Sequence, residues 1–226
     1  DSLLASVTDK TRILFLANPN NPTGTYIPSS ELQRLRDGLR EDILMVIDSA
    51  YAEYVSNDDY TAGETMVEAG ENVVMTRTFS KIFGLGGMRL GWGYMPPKII
   101  DVLHRVRNPF NVSAAAQAAG TSAVLDLSFT KKAQEHNNKW LSWTRDQLNE
   151  LGFSTTESVG NFLLVCFNKI PDRTAQSADL FLKSAGIIIR RMDNYGLPQS
   201  LRITIGTEFE MRTVVESLKR FIAQNL

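Results

Sequence analysis

The sequence predicts an α/β protein whose first half holds a largely covered sheet and whose second half is a smaller α+β region. Three observations carry this. Short apolar runs alternate with helical segments through the first half, as in sheets covered by their connections. Several of these runs end in loops dense in Pro, Gly, Asn, Ser or Asp. After about residue 113 the pattern shifts to long helices and then to strands grouped near the end.

The elements follow in order. ILFLA (13 to 17) reads as a buried strand emptying into NPNNPTG. A helix begins at Ser29 or Ser30, with Glu31 in its first turn and Leu32, Leu35 and Leu39 on one side. ILMVIDSA (43 to 50), NVVMTRTF (72 to 79) and RLGWGYM (89 to 95) are three further strands. Proline is tolerated in a first helical turn, so a helix opens at Pro96-Pro97 and runs towards Arg107. The alanine-rich stretch 113 to 125 is helical. The segment 128 to 151 is a longer helix stopped by Gly152. Strands follow at FLLVCF (162 to 167), GIIIR (186 to 190) and LRITIG (201 to 206). Thr207 and Glu210 form a capping box for a last helix, whose apolar face is Met211, Val214, Val215, Leu218 and Ile222.

Composition narrows the function. Of 226 residues, 43% are hydrophobic and 22% charged, and 24 basic side chains balance 25 acidic ones for a net charge of -1. No basic field is available for a phosphate backbone, so nucleic acid is not an expected partner. No apolar run approaches the roughly 18 residues a spanning helix needs, so no membrane partner is expected either. The start, DSLLASVTDKTR, lacks the features of a signal peptide, which makes the cytoplasm the expected compartment. Cys166 is the single cysteine, and its apolar neighbours predict burial rather than reactivity. With His104 and His136 as the two histidines, no metal site is expected.

Three loops at predicted strand ends concentrate unusual residues, and ligands bind at that edge of open α/β sheets. Asn18-Pro19-Asn20-Asn21-Pro22-Thr23-Gly24 taken alone is a sharp turn. Asp48-Ser49-Ala50-Tyr51 puts a carboxylate at the end of a buried strand, where it caps a helix or meets a cation. Thr78-Phe79-Ser80-Lys81 followed by Gly84, Gly86, Gly87 and Arg89 groups hydroxyls, a lysine, glycines and a guanidinium. Hydroxyls and the Arg fork suit a phosphate dianion. The spacing fits neither a P-loop nor G-x-G-x-x-G. A phosphate site, an amine and a strand-end carboxylate together point to pyridoxal 5'-phosphate, which needs a lysine for its Schiff base and a carboxylate for its ring nitrogen.

The segments NPNNPTG, DSAY, TFSKIFGLGGMRLG and LRITIGT resemble those of the fold-type I aminotransferases of classes I and II. Within that family the chain is most similar to the histidinol-phosphate aminotransferases, on GIIIRRMDNYGLPQSLRITIGT with its Arg190 and Arg202. The resemblance implies part of a large, mostly parallel-sheet cofactor domain at 1–125 and a small C-terminal domain at 126–226. It gives Lys81 the covalent hold on the cofactor and the proton shuttle, Asp48 the pyridine nitrogen, and Tyr51 and Asn21 the phenolic oxygen. Thr78, Ser80 and Arg89 would hold the phosphate, and Arg202, Arg190 and Asn161 the substrate. The implied reaction is transamination between an amino donor and a 2-oxo acid, most simply histidinol phosphate and 2-oxoglutarate, in a homodimer. An aromatic or broad-specificity aminotransferase, a phosphothreonine-type decarboxylase and a non-catalytic regulator share the scaffold. Two differences stand out. The opening arm and Gly-rich turn of such enzymes are not in this chain, and Ser49 replaces a common Glu. The strand pattern sets Arg202 and Thr204 on one face and Leu201, Ile203 and Ile205 on the other.

Overall fold

The structure is a computed structural model that describes residues 1–168 and 173–223. It divides into two compact units, Asp1–Asn20 with Tyr26–Lys131, and Asn21–Thr25 with Lys132–Leu226.

The first unit is built on a four-stranded sheet in the order β1-β2-β3-β4. Its strands are β1 (Ile13–Ala17), β2 (Leu44–Asp48), β3 (Val73–Thr78) and β4 (Gly91–Tyr94). β1, β2 and β3 run parallel, and β4 returns antiparallel along β3. The parallel register aligns Ala17 with Asp48 and Asp48 with Thr76, so the three chains leave the sheet along one edge. The helices of this unit are α1 (Ser2–Ala5), α2 (Ser29–Gly38), α3 (Glu64–Ala69), α4 (Pro97–Val106) and α5 (Ala114–Leu125). The α2 stripe behaves as its spacing predicts, with Leu32, Leu35 and Leu39 buried among Leu14, Met45, Ile47, Val73 and Met75. Full burial of each such leucine contributes about 1.5–3 kcal/mol.

The expected covering of this sheet is incomplete in this chain. Alternation along β1 sends Leu14 into the core but leaves Ile13 and Phe15 on the other face, Phe15 at 72% exposure. All of β4 is exposed, and it starts at Gly91 rather than Arg89 because Arg89 takes a left-handed conformation (φ +54°).

The second unit carries a sheet in the order β5-β6-β8-β7. Its strands are β5 (Ser154–Thr155), β6 (Phe162–Cys166), β7 (Arg190–Arg191) and β8 (Ser200–Thr204), every pairing antiparallel. Its helices are α6 (Leu127–Glu150), whose first turns precede the division at Lys131, α7 (Ala175–Ser184) and α8 (Glu208–Ala223). Trp140, Leu141 and Leu148 of α6 meet Leu163, Val165, Leu201 and Ile203 of the sheet and Met211, Val214, Val215, Leu218 and Phe221 of α8. The capping box forms, with Thr207 N donating to Glu210 Oε2 at 2.7 Å and Glu210 N to Thr207 Oγ1 at 3.4 Å.

Two further expectations need correction. The strand at 186 to 190 shrinks to Arg190–Arg191. Gly186 turns the chain at φ +77°, and Ile187 and Ile189 pack on the core while Ile188 points out at 85% exposure. The alternation of a strand is present, but pairing with β8 begins only at Arg190. Cys166 is half-buried rather than buried, because it ends β6 and faces the Ser200 hydroxyl at 3.4 Å. Among the described residues no helix is long and apolar enough to cross a membrane.

Candidate functional site

In the first unit the functional side chains follow the ends of β2 and β3. Asn18, directly after β1, is buried and clamps its loop: its side chain exchanges two hydrogen bonds with the Ile27 main chain, at 2.9 and 3.2 Å. Its carbonyl accepts the Tyr60 hydroxyl at 2.9 Å. Asp48 closes β2 with its side chain exposed, and Oδ1 accepts from Ala50 N at 3.2 Å. It forms no ion pair among the described residues.

The chain then folds through Ser49, whose hydroxyl is tied to Ala62 O at 2.7 Å, into the buried ring of Tyr51. A 3-10 turn, Ala52–Tyr54, follows. Burial, with the nearby Glu53 and Tyr51 as lesser causes, pushes the Tyr54 hydroxyl up to about 12.

From β3 the chain enters the lysine loop. Ser80 N donates to Thr78 Oγ1 at 3.1 Å, and the loop is closed by Leu85 N to Phe79 O at 2.9 Å and Phe79 N to Leu90 O at 3.1 Å. Lys81 is half-buried, and its Nζ stands 5.1 Å from the centre of the Tyr51 ring. That cation–π approach is worth about 0.5–2 kcal/mol. The ammonium forms neither a hydrogen bond nor an ion pair among the described residues. Gly84 needs its lack of a side chain for φ +69°, whereas at Gly87 an added methyl group would meet nothing within 4 Å. Arg89 is exposed, and one nitrogen, Nη1, donates within the chain, to Gly86 O at 2.6 Å.

The second unit assembles a separate group. Arg202 lies on β8, with Leu201 and Ile203 buried in the core and Thr204 exposed, as the alternation predicts. Its Nη1 donates to Asn21 Oδ1 at 2.6 Å and its guanidinium stands over the Phe162 ring at 5.0 Å. The Nε of Arg202 is buried and has no partner among the described residues. Arg190 sits directly opposite Arg202 in the β7–β8 register, its own side chain exposed. Two guanidinium groups facing each other across strands repel unless an anion lies near both. Asn161 takes part through its main chain, its carbonyl accepting Ile205 N at 2.8 Å. Buried Asn137 on α6 steadies the neighbouring Gly160 by donating to its carbonyl at 3.1 Å.

Of the residues singled out in the sequence, the fold brings Tyr51 to Lys81, Thr78 to Ser80, Asn21 to Arg202 and Arg190 opposite Arg202. Among the described residues Arg89 bonds to neither hydroxyl of its loop, and the Asp48 carboxylate accepts a hydrogen bond within its own turn. The sequence did not reveal Asn18, Asn137, or the ion pair of Glu53 with Arg77. The pair of hydrogen bonds between Asn18 and Ile27 had one local signal, an Asn at a strand end before prolines, which marks a turn anchor.

The chain belongs to the aminotransferase class I and II family, whose family model matches residues 1–218. The histidinol-phosphate aminotransferase of Paramagnetospirillum magneticum is 57% identical over 222 residues, covering 98% of this chain and 61% of that protein. That of Maricaulis maris is 53% identical with the same coverage. The crystal structure of histidinol-phosphate aminotransferase from Sinorhizobium meliloti in complex with pyridoxal-5'-phosphate is 27% identical. It superposes with a TM-score of 0.83 over 94% of this chain and 57% of that one. The chain thus spans about 61% of the length of the curated relatives.

Proposed function

We propose that this chain carries the cofactor-holding and substrate-binding residues of a pyridoxal-phosphate-dependent aminotransferase acting on histidinol phosphate and 2-oxoglutarate. The observation that supports it most is a set of charged side chains that form no ion pair among the described residues. Among the described residues Lys81 meets no anion and Asp48 no cation, and Arg89 donates from Nη1 alone, to Gly86 O. These groups follow the aligned ends of parallel strands, and together they match a carbonyl, a cationic ring nitrogen and a phosphate. The donor set therefore fits pyridoxal phosphate.

When bound, that cofactor supplies a carbonyl that condenses with amines and a protonated ring that accepts the electron pair of a breaking Cα–H bond. Lys81 holds it through Nζ and afterwards moves a proton at the same atom, first from the substrate Cα. Asp48 keeps a proton on the ring nitrogen. Thr78, Ser80 and Arg89 bind the phosphate, and Tyr51 and Asn21 donate to the ring oxygen. Arg202, with Arg190 opposite it and Asn161 beside its strand, binds the acidic end of the substrate. The paired guanidinium groups suit a phosphate better than an uncharged ring. A cytoplasmic homodimer divided near Asp126 into a large and a small domain is the working form that accompanies this reading.

Borohydride reduction of the cofactor-loaded protein, followed by peptide mass mapping, is the direct test. A pyridoxyl label on Lys81, lost in Lys81→Ala, together with conversion of the bound cofactor by histidinol phosphate, is the expected result. A label on another lysine, or none, defeats the assignment.

A further inference from the structure

Glu53 and Arg77 form an ion pair that no part of the proposed chemistry uses. Arg77 Nη2 and Nε both donate to Glu53 Oε1, at 2.7 and 3.2 Å. The two side chains are only 18% and 11% exposed. The guanidinium also stands 5.6 Å from the centre of the Trp92 ring on β4.

At such burial the loss of hydration offsets much of the attraction between the charges, so net stability is a weak reason for the pair. Its place in the chain offers a better one. Glu53 lies in the 3-10 turn two residues after Tyr51, and Arg77 is the β3 residue that leads into Thr78, Ser80 and Lys81. The pair therefore ties together the two segments whose meeting point is the Tyr51 ring against Lys81 Nζ. Two guanidinium nitrogens converge on one carboxylate oxygen, so the guanidinium is held at two points.

We propose that Glu53 and Arg77 are positioning residues that hold the Tyr51 ring and the Lys81 amine in register, setting the approach of that amine to a cofactor carbonyl. The proposal rests on the assignment of Lys81 as the cofactor lysine. A displacement of about 1 Å costs on the order of 100-fold in rate when a reacting atom is misaimed. The pair is thus expected to affect capture of the cofactor more than folding.

The test uses the double variant Glu53→Leu/Arg77→Met, since apolar residues of similar size replace buried ion pairs with little loss of stability. Thermal melting without cofactor and the rate at which pyridoxal phosphate becomes borohydride-fixable on Lys81 are measured in parallel. Parent-like melting with capture slowed by about tenfold or more is the expected result. Capture within about threefold of the parent at equal stability overturns the proposal. Should the double variant melt lower, Arg77→Lys decides. It keeps the charge but replaces the two-point fork with one bond. Slowing by about three- to tenfold at a temperature where both proteins are folded supports positioning, and parent-like capture refutes it. If the parent itself takes the label elsewhere, the lysine assignment fails instead, so the two failures are distinct.

Discussion

Gly24→Ala is the substitution whose cost the structure specifies most closely. Gly24 has φ +74°, and a methyl group there would lie 2.0 Å from Ser158 Oγ, 2.4 Å from Ser158 Cβ and 3.0 Å from Ser158 Cα. Two separate penalties follow. The left-handed conformation costs an L-residue roughly 1–2 kcal/mol. Forcing extra volume into a filled space costs about 1–3 kcal/mol more. The sum is about 2–5 kcal/mol, and each kcal/mol lowers Tm by about 2–4 °C in a chain of this length.

The site has little room to yield. Val159 N bonds Gly24 O at 2.9 Å and Thr156 Oγ1 bonds Thr23 O at 2.5 Å, so the loop is held at both ends of the overlap. The assay is a double-mutant cycle by thermal melting. Ser158→Gly alone loses the hydroxyl that accepts Gly160 N at 3.2 Å, a change of about 0.5–1.5 kcal/mol. Combined with Gly24→Ala it should recover the steric part, a coupling of about 1–3 kcal/mol, and leave the backbone part. Strict additivity, or a shift of less than about 2 °C for Gly24→Ala, would show that the loop moves aside and the reasoning is wrong. Because Asn21 heads the same loop, the single variant should also disturb its bond to Arg202 and raise the KM for the amino substrate.

Other perturbations probe the rest of the site. Asp48→Asn should leave melting close to the parent value, since among the described residues its exposed carboxylate accepts one hydrogen bond, while kcat falls by orders of magnitude in steady-state transamination. Arg190→Ala should weaken histidinol phosphate by about 10- to 150-fold, from a lost charge-assisted bond of roughly 1.5–3 kcal/mol, and phenylalanine much less. Equal losses would favour a broad-specificity enzyme. The two hydrogen bonds from Thr207 hold the Glu210 carboxyl below its ordinary range. A depressed folded-state pKa gives stability that is present above the unfolded value and lost as pH falls through the folded one. Melting followed downward from about pH 6 should therefore show a loss of a few tenths of a kcal/mol that Glu210→Gln abolishes.

Much of this architecture was legible in the chain because its signals are local. ILFLA, LMVI and FLLVCF are apolar runs bounded by breakers, and the strands at Ile13–Ala17, Leu44–Asp48 and Phe162–Cys166 follow them. The Thr207 and Glu210 cap spans one helical turn. The lysine loop was legible for the same reason, as its hydroxyls, lysine, glycines and arginine lie within twelve consecutive positions, 78 to 89. The segment 186 to 190 misled because alternation reports only which side of an extended chain meets the core. Whether its main chain pairs depends on a neighbour, and β8 offers that pairing only from Arg190 onward.

The amino-acid sequence by itself determined the order of elements, the apolar stripes that drive them together, and the side chains gathered at strand ends. The tertiary structure alone decided which of those side chains meet. Arg202 bonds Asn21 across 181 positions, Glu53 bonds Arg77 across 24, and Lys81 finds the ring of Tyr51 rather than a carboxylate. Contacts of this kind depend on sheet register and on turns such as the one at Gly24. Register is a property of two strands at once, so a linear pattern in either one leaves the partner unnamed.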